Sequence, residues 1–273
     1  MTPMFRFGAM VDPTKPADAV ATAQHAEHLG FSTVVIPDGM QLPSPFVSLA
    51  VIARVTTTLH VGTFVLSAAL RPPELAAWDG HSLSAVTGGR FEFGIGAGHP
   101  GTVRDAVQRV GLAPTTGRER LQRVADTVRR LRALDGDART PVLMAAGGPR
   151  GIALAAQIAD IVTLALGPTA GRDEAAAHAE RLRAACADAA RSVELAQNIF
   201  VVGSEVPDWM ERSFGLDAQA MIDNDSLAML RGSPSAMADE LRRRRDELGI
   251  SYTIVNALFI DQIAPVVAEL AGQ

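Results

Sequence analysis

The sequence predicts a single (β/α)₈ TIM barrel spanning residues 1–273. Short β-rich runs alternate with longer helical patterns from end to end, and several of those runs are continuously apolar. No composition break or linker divides the chain. Strands that are apolar on both faces belong to a parallel sheet covered by helices. The 273 residues lie close to the ~250 typical of a closed barrel, and regular alternation favours that closure over an open doubly wound sheet.

Eight runs read as strands: Phe5–Val11, Thr33–Pro37, Leu59–Leu66, Phe91–Gly96, Val142–Ala146, Ile161–Leu166, Asn198–Val202 and Tyr252–Ala257. The first helix opens at Lys15-Pro16, with proline near the first helical position, and closes at Gly30. The fourth runs from about Thr116 to Leu134, with Leu121, Val124, Val128, Leu131 and Leu134 on one face and arginines on the other. The seventh begins at Ser233-Pro234 and stops at Gly249, and its four successive arginines, Arg242–Arg245, read as a solvated face. Ser204–Gly232 is irregular and reads as a short helical insertion after strand seven. Its apolar residues, among them Trp209, Met210, Met221 and Leu227, fit either local packing or a lid over the barrel mouth.

An apolar fraction of 48% supplies a large core, and a net charge of −5 argues against a nucleic-acid footprint, which would show as a basic patch. Lys15 is the only lysine, which reads as a biased codon pool. Cys186 is the only cysteine, so an intrachain disulfide and a cysteine-rich zinc site are excluded. No basic-then-apolar leader opens the chain and no run approaches ~18 apolar residues. A soluble, cytoplasmic protein with no membrane contact is therefore expected. His25 and His28 are three apart with no third ligand identifiable, so no metal is expected.

In a barrel the chemistry sits on the loops that follow the strands. Asp38-Gly39 follows strand two, SAALRPP (Ser67–Pro73) follows strand three, GIGAGHPG (Gly94–Gly101) follows strand four, and AAGGPRG (Ala145–Gly151) follows strand five. In the last, Gly147 and Gly148 let the backbone approach a ligand, Pro149 suits a first helical position, and the helix amides make an anion site to which Arg150 adds a charged donor. The same letters also make an ordinary βα turn. Gly94, Gly96 and Gly98 do not form a dinucleotide fingerprint, because the third glycine comes one residue too early.

These segments, in this order, resemble the luciferase-like monooxygenase superfamily, in its actinobacterial F420-dependent oxidoreductase branch. The stretch from Thr58 to Gly98 is similar to a core pattern of a "T.L.VGT.V" strand, then "R.P..LA", then "S.GR..LG.G.G". QHAEHLGFSTVVIPD (Gln24–Asp38) is similar to the family's first helix and second strand, and GSPSAMADELRRRRDELGISYTIV (Gly232–Val255) to the end of its barrel.

The resemblance implies that a flavin or deazaflavin ring lies in the barrel mouth against a non-prolyl cis peptide, by position Phe64–Val65. It implies contacts to the ring or ribityl chain from Thr63, Gly96, Ala97 and Gly98, and a phosphate site at Ala145, Ala146, Gly147, Gly148, Pro149 and Arg150. Arg71, Arg104 and Arg118 become outer contacts for an anionic tail. The family often has a long insertion at the fourth position, where Gly101–Pro114 is short. Many F420 members have Asp-His after strand two; here the pair is Asp38-Gly39. Where one branch has an acidic proton donor after the G-x-G loop, this chain has His99, an imidazole able to exchange a proton near neutral pH. The implied function is hydride transfer between F420 and a small organic substrate, with His99 and Asp38 as catalytic residues. Alternatives are an FMN-dependent monooxygenase, or a barrel that has lost its redox cofactor and is a binding protein or cofactor-free enzyme. Dimers are common among such proteins, so a homodimer is a further expectation.

Overall fold

Eight parallel strand positions close on themselves in the computed structural model, which describes residues 3–273 apart from the side chains of Thr102, Asp105, Val110, Ser213 and Phe214. In chain order the strands are β1 (Arg6–Met10), β2 (Thr33–Ile36), β3 (His60–Thr63), β4 (Leu66–Ser67), β5 (Phe91–Gly96), β6 (Val142–Ala146), β7 (Ile161–Leu164), β8 (Glu194–Ile199), β9 (Val201–Val202), β10 (Met229–Leu230) and β11 (Ile250–Asn256). Neighbours run β3-β2-β1-β11-β8-β7-β6-β5, and β3 pairs back to β5 to close the ring. The two-residue β4 continues the β3 position and also lies on β5, with Ser67 opposite Gly96.

Helices cover the outside: α1 (Pro16–His28), α2 (Pro45–Val55), α3 (Pro73–Val86), α4 (Pro100–Val110), α5 (Gly117–Asp135), α6 (Pro149–Ile158), α7 (Arg172–Asp188), α8 (Asp208–Phe214), α9 (Ala218–Asp223), α10 (Pro234–Leu248) and α11 (Ile260–Leu270). Their ends follow local chemistry. Thr116 and Glu119 cap α5 reciprocally, each side chain bonding the other's backbone. Ser233 caps α10, and Gly249 ends it in the left-handed region at φ +81°. The predicted apolar stripe of α5 buries Val124, Val128 and Leu131, and truncating one such leucine typically costs ~2–5 kcal/mol. Gly80 brings α3 against the wall, since a Cβ there would meet the Phe93 ring at 2.5 Å.

Side chains pointing inward fill the barrel in layers. At the N-terminal strand ends, Arg6 bonds Glu92 at 2.5 Å and Glu194 at 2.8 Å, and its guanidinium lies 3.8 Å from the centre of the Tyr252 ring. Burial pulls the Arg6 pKa down, but Glu92, Tyr252 and Glu194 more than offset it and hold it above the usual arginine range. Burial and the Glu92 charge push the Tyr252 phenol well above its ordinary value. Above this charged plug sits an apolar layer of Val35, Leu143, Ile161, Ala196, Tyr252 and Ile254, against which Met10, Phe64 and Val65 pack.

Three expectations change, and a reading left open is narrowed. Strand seven was expected at Asn198–Val202, but β8 begins at Glu194. Its polar residues are held by partners distant in sequence, Glu194 by Arg6 and Gln197 by Thr253 and Arg244. The Gly101–Pro114 segment, read only as a short insertion, contains α4. Arg242–Arg245 is not a uniformly solvated face, because Arg244 is 3% exposed. It donates to Gln197 Oε1, to the carbonyls of Leu227 and Met229, and to Glu240 Oε1 at 2.7 Å. Burial lowers the Arg244 pKa, whereas bonds from Arg244 and Arg172 overcome the burial of Glu240 and hold its carboxyl below the usual range.

The insertion after β8, finally, packs locally. Val201, Val206, Met210, Leu216, Met221 and Met229 form a small core of their own. Short β9 and β10 pair in parallel, and Ser226 Oγ donates to the Pro168 carbonyl at 2.7 Å. A cavity of about 60 Å³ remains where this segment meets β7, β8 and α7. Cys186 is buried in α7, and burial raises its thiol pKa.

Candidate active site

The C-terminal strand ends form the mouth. The Phe64–Val65 peptide between β3 and β4 is cis. Both side chains are half-buried and rest on the interior apolar layer, giving the mouth a partly exposed apolar floor. Thr63 pins this turn to β5. Its hydroxyl donates to the Gly94 carbonyl at 2.7 Å and accepts from the Gly94 amide at 2.9 Å. Thr63 is 1% exposed, and both capacities of its hydroxyl are used by Gly94. Gly94 is required here because a Cβ would lie 1.7 Å from the Thr63 carbonyl oxygen.

The glycine loop is shaped the same way. A Cβ at Gly96 would lie 3.1 Å from Val65, and one at Gly98, which has φ +80°, would lie 2.3 Å from Ser67 Oγ. Ala97 is half-buried, and Arg120 donates to its carbonyl at 2.8 Å, tying the loop to α5. His99 follows as the N-cap of α4; it is exposed, and its Nδ1 accepts from the Gly101 amide at 3.2 Å.

Asp38 lies between β2 and the loop after β4. Its side chain is 2% exposed, and it receives Arg71 at 2.5 and 2.9 Å and the Ser67 amide at 3.0 Å. That full set of partners makes it an anchor for the Ser67–Arg71 rim, and Arg71 is thereby committed inward rather than free for an anionic tail. At Gly39 a side chain would run into the Gln41 carboxamide at 2.8 Å. A carboxamide therefore stands next to Gly39.

After β6 the chain makes the expected turn. Ala145 is half-buried and Ala146 buried, and Ala146 accepts from the Ala165 amide at 2.9 Å. Gly147 sits tight against the Ala165 carbonyl, where a Cβ would lie at 3.0 Å. Gly148 caps α6 with no side-chain bond to the first-turn amides, and the space beside it is open. Gly148, Pro149 and Arg150 are exposed. Arg104 and Arg118, on the helices after β5, are exposed as well.

Two rim residues lay outside the expected set. Ser67 Oγ and Asn198 Oδ1 are buried polar atoms with no hydrogen-bond partner among the described residues. The signal for Asn198 was strand alternation, which becomes readable only once β8 is known to start at Glu194. No group of three or more His, Cys, Asp or Glu among the described residues is placed to hold a metal, and no described helix is long and apolar enough to cross a membrane.

The protein is a closed parallel barrel of the TIM class, and the family model described as luciferase-like monooxygenase matches its residues 1–249. The chain belongs to that family. Among curated relatives, a 5,10-methylenetetrahydromethanopterin reductase of Methanolobus tindarius is 28% identical over 174 residues, covering 58% of this chain and 53% of the relative. An uncharacterized Mycobacterium tuberculosis protein is 31% identical over 101 residues, covering 28% of this chain and 35% of its own. The aligned part thus spans between about a third and a half of these relatives' length.

Solved structures are similar over nearly the whole chain. An F420-dependent secondary alcohol dehydrogenase with an F420-acetone adduct has TM-score 0.78 at 16% identity, covering 97% of this chain and 99% of that one. The F420-dependent tetrahydromethanopterin reductase of Methanopyrus kandleri has 0.74 at 17%, covering 98% and 99%. An EDTA monooxygenase of Chelativorans sp. BNC1 has 0.73 at 14%, covering 98% and 94%. At these identities the likeness is one of fold.

Proposed function

We propose that this chain is an F420-dependent oxidoreductase acting on a small organic substrate. The observation behind this reading is that one barrel end combines a partly exposed apolar floor, Phe64 and Val65, with an open turn at Gly147–Arg150. A flat, mostly apolar ring with an anionic tail needs those two features. The open space beside Gly148, the uncapped amides of α6 and the exposed Arg150 fit a phosphate. F420, when bound, supplies hydride chemistry at C5 of the deazaflavin.

The residues divide the remaining work. Phe64 and Val65 give the ring a floor, with Thr63, Gly94 and Gly96 fixing that floor in place. Gly147, Gly148 and Arg150 bind the phosphate, and Arg104 and Arg118 extend positive charge outward for a longer anionic tail. Asp38 positions the rim through Ser67 and Arg71. His99, exposed at the lip, is the group able to exchange a proton with substrate.

An FMN-dependent monooxygenase is the second reading. Gly39 in place of the histidine common in F420 members favours it, and both cofactors share the phosphate site. Titration of the purified protein with F420 and with FMN, followed by gel filtration, separates the readings. Retention of F420 at micromolar concentration supports the first and retention of FMN alone the second. Retention of neither overturns both and leaves a barrel without a redox cofactor.

A further inference from the structure

Asn198, like Ser67 on β4 and Ser251 on β11, has a buried side-chain oxygen without a hydrogen-bond partner among the described residues, and its position follows from register. β8 alternates inward at Glu194, which bonds Arg6 in the barrel plug, and at Ala196, which belongs to the interior apolar layer. Asn198 is the next residue on that face. Its neighbour in register on β11 is Ile254, itself in the interior layer. Asn198 therefore stands directly above the apolar layer at the mouth. Its Oδ1 is buried and unpartnered among the described residues, and its carboxamide makes no hydrogen bond to them. Asn256, two residues beyond Ile254, has its own carboxamide oxygen engaged by the Leu258 amide at 3.0 Å. The Asn198 carboxamide oxygen has no such bond, although the residue also borders the cavity of about 60 Å³ between β7, β8 and the insertion.

Burying an amide oxygen without a partner is unfavourable, so a site that keeps one in place is set up for a group that arrives from outside. A carboxamide offers an acceptor and a donor side by side. Its complement is an imide or lactam edge, an N–H flanked by a carbonyl. We propose that Asn198 reads the imide edge of the flavin-class ring, with Oδ1 accepting from the ring N–H and Nδ2 donating to the adjacent carbonyl. This rests on the cofactor reading above and deepens it. The ring would be fixed by polar recognition from β8, across the barrel from the apolar floor at Phe64 and Val65, separately from the tail site on α6.

The test compares wild type, Asn198→Leu and Arg150→Ala by thermal unfolding without ligand and by fluorescence titration. The probes are F420 and the tail-free deazaflavin riboside. Leucine has the same branched four-atom side-chain skeleton as asparagine, though it is bulkier, and removes the orphan polar atom, so Asn198→Leu should unfold at the same or a higher temperature than wild type. It should bind F420 at least tenfold more weakly and bind the riboside with the same fold loss. Arg150→Ala should weaken F420 only. A lower unfolding temperature for Asn198→Leu with unchanged affinity assigns Asn198 a structural role and overturns the proposal. Loss of F420 binding without loss of riboside binding overturns it too, by placing the contact on the tail. If wild type takes up neither F420 nor FMN, the cofactor reading itself falls and this assignment falls with it.

Discussion

Asp38 grips Arg71 through both carboxylate oxygens, at 2.5 and 2.9 Å, while the Ser67 amide shares one of them at 3.0 Å. One buried carboxylate thus holds the segment that follows the mouth floor. Asp38→Ala would leave the guanidinium half-buried and the amide unpaired, so we expect it to cost ~2–4 kcal/mol of stability and to weaken cofactor uptake. Denaturant unfolding beside a cofactor titration checks this. Full stability and normal uptake with lost turnover would instead make Asp38 a catalytic acid or base.

At the α6 turn the backbone and the charge can be tested separately. Gly148 has extended dihedrals and open space beside it, so Gly148→Ala should fold as wild type does. If a phosphate approaches that backbone, the added methyl should weaken F420 and FMN binding to a similar degree. Arg150→Ala should do the same, with a loss that shrinks as salt rises.

His99 is exposed and its one bond, to the Gly101 amide, is a helix cap. We expect His99→Ala to change stability by about 1 kcal/mol at most and to leave cofactor binding unaltered. A proton role requires turnover to fall, with a change in the pH dependence of the rate. Unchanged turnover removes His99 from the chemistry.

Arg244 ties α10 to β8 and to the carbonyls of Leu227 and Met229. Removing one partner from a buried charged network costs ~3–5 kcal/mol, so Arg244→Ala should destabilise the protein on that scale. Hydrogen exchange should rise first around residues 224–230. Uniform acceleration across the chain would show that the clamp has no local purpose.

Glu27 accepts the backbone amides of Thr57, Thr58 and Leu59. These bonds outweigh its partial burial and lower its pKa from 4.5 to about 2. The stabilisation is fully present above pH 4.5 and disappears as pH falls through 2. Glu27→Gln should lower the melting temperature by roughly 2–4 °C at pH 7 and flatten the acid limb of the stability profile. Parallel profiles for the two proteins would count against this assignment.

Most strands were legible because β2, β6 and β7 are continuous apolar runs with clear turn signals. β8 was not, since its polar residues make sense only with Arg6, Thr253 and Arg244 in place, and those partners are distant in sequence. Arg244 was hidden for a similar reason: four successive arginines point in different directions around a helix, and one of them must face inward. The glycine loops were located correctly. What each glycine does depends on neighbours such as the Thr63 carbonyl and the Ala165 carbonyl, which only the fold supplies. Asn198 stayed invisible because a half-buried asparagine in a strand has no local pattern. Its solitude becomes visible only after every nearby donor and acceptor has been accounted for.

The ion pairs of Arg6 with Glu92 and Glu194 occupy the lower end of the barrel, and the apolar layer fills the space above them. A molecule that reaches this interior layer therefore meets it at the strand C-termini, where Phe64 and Val65 are the partly exposed part of the floor.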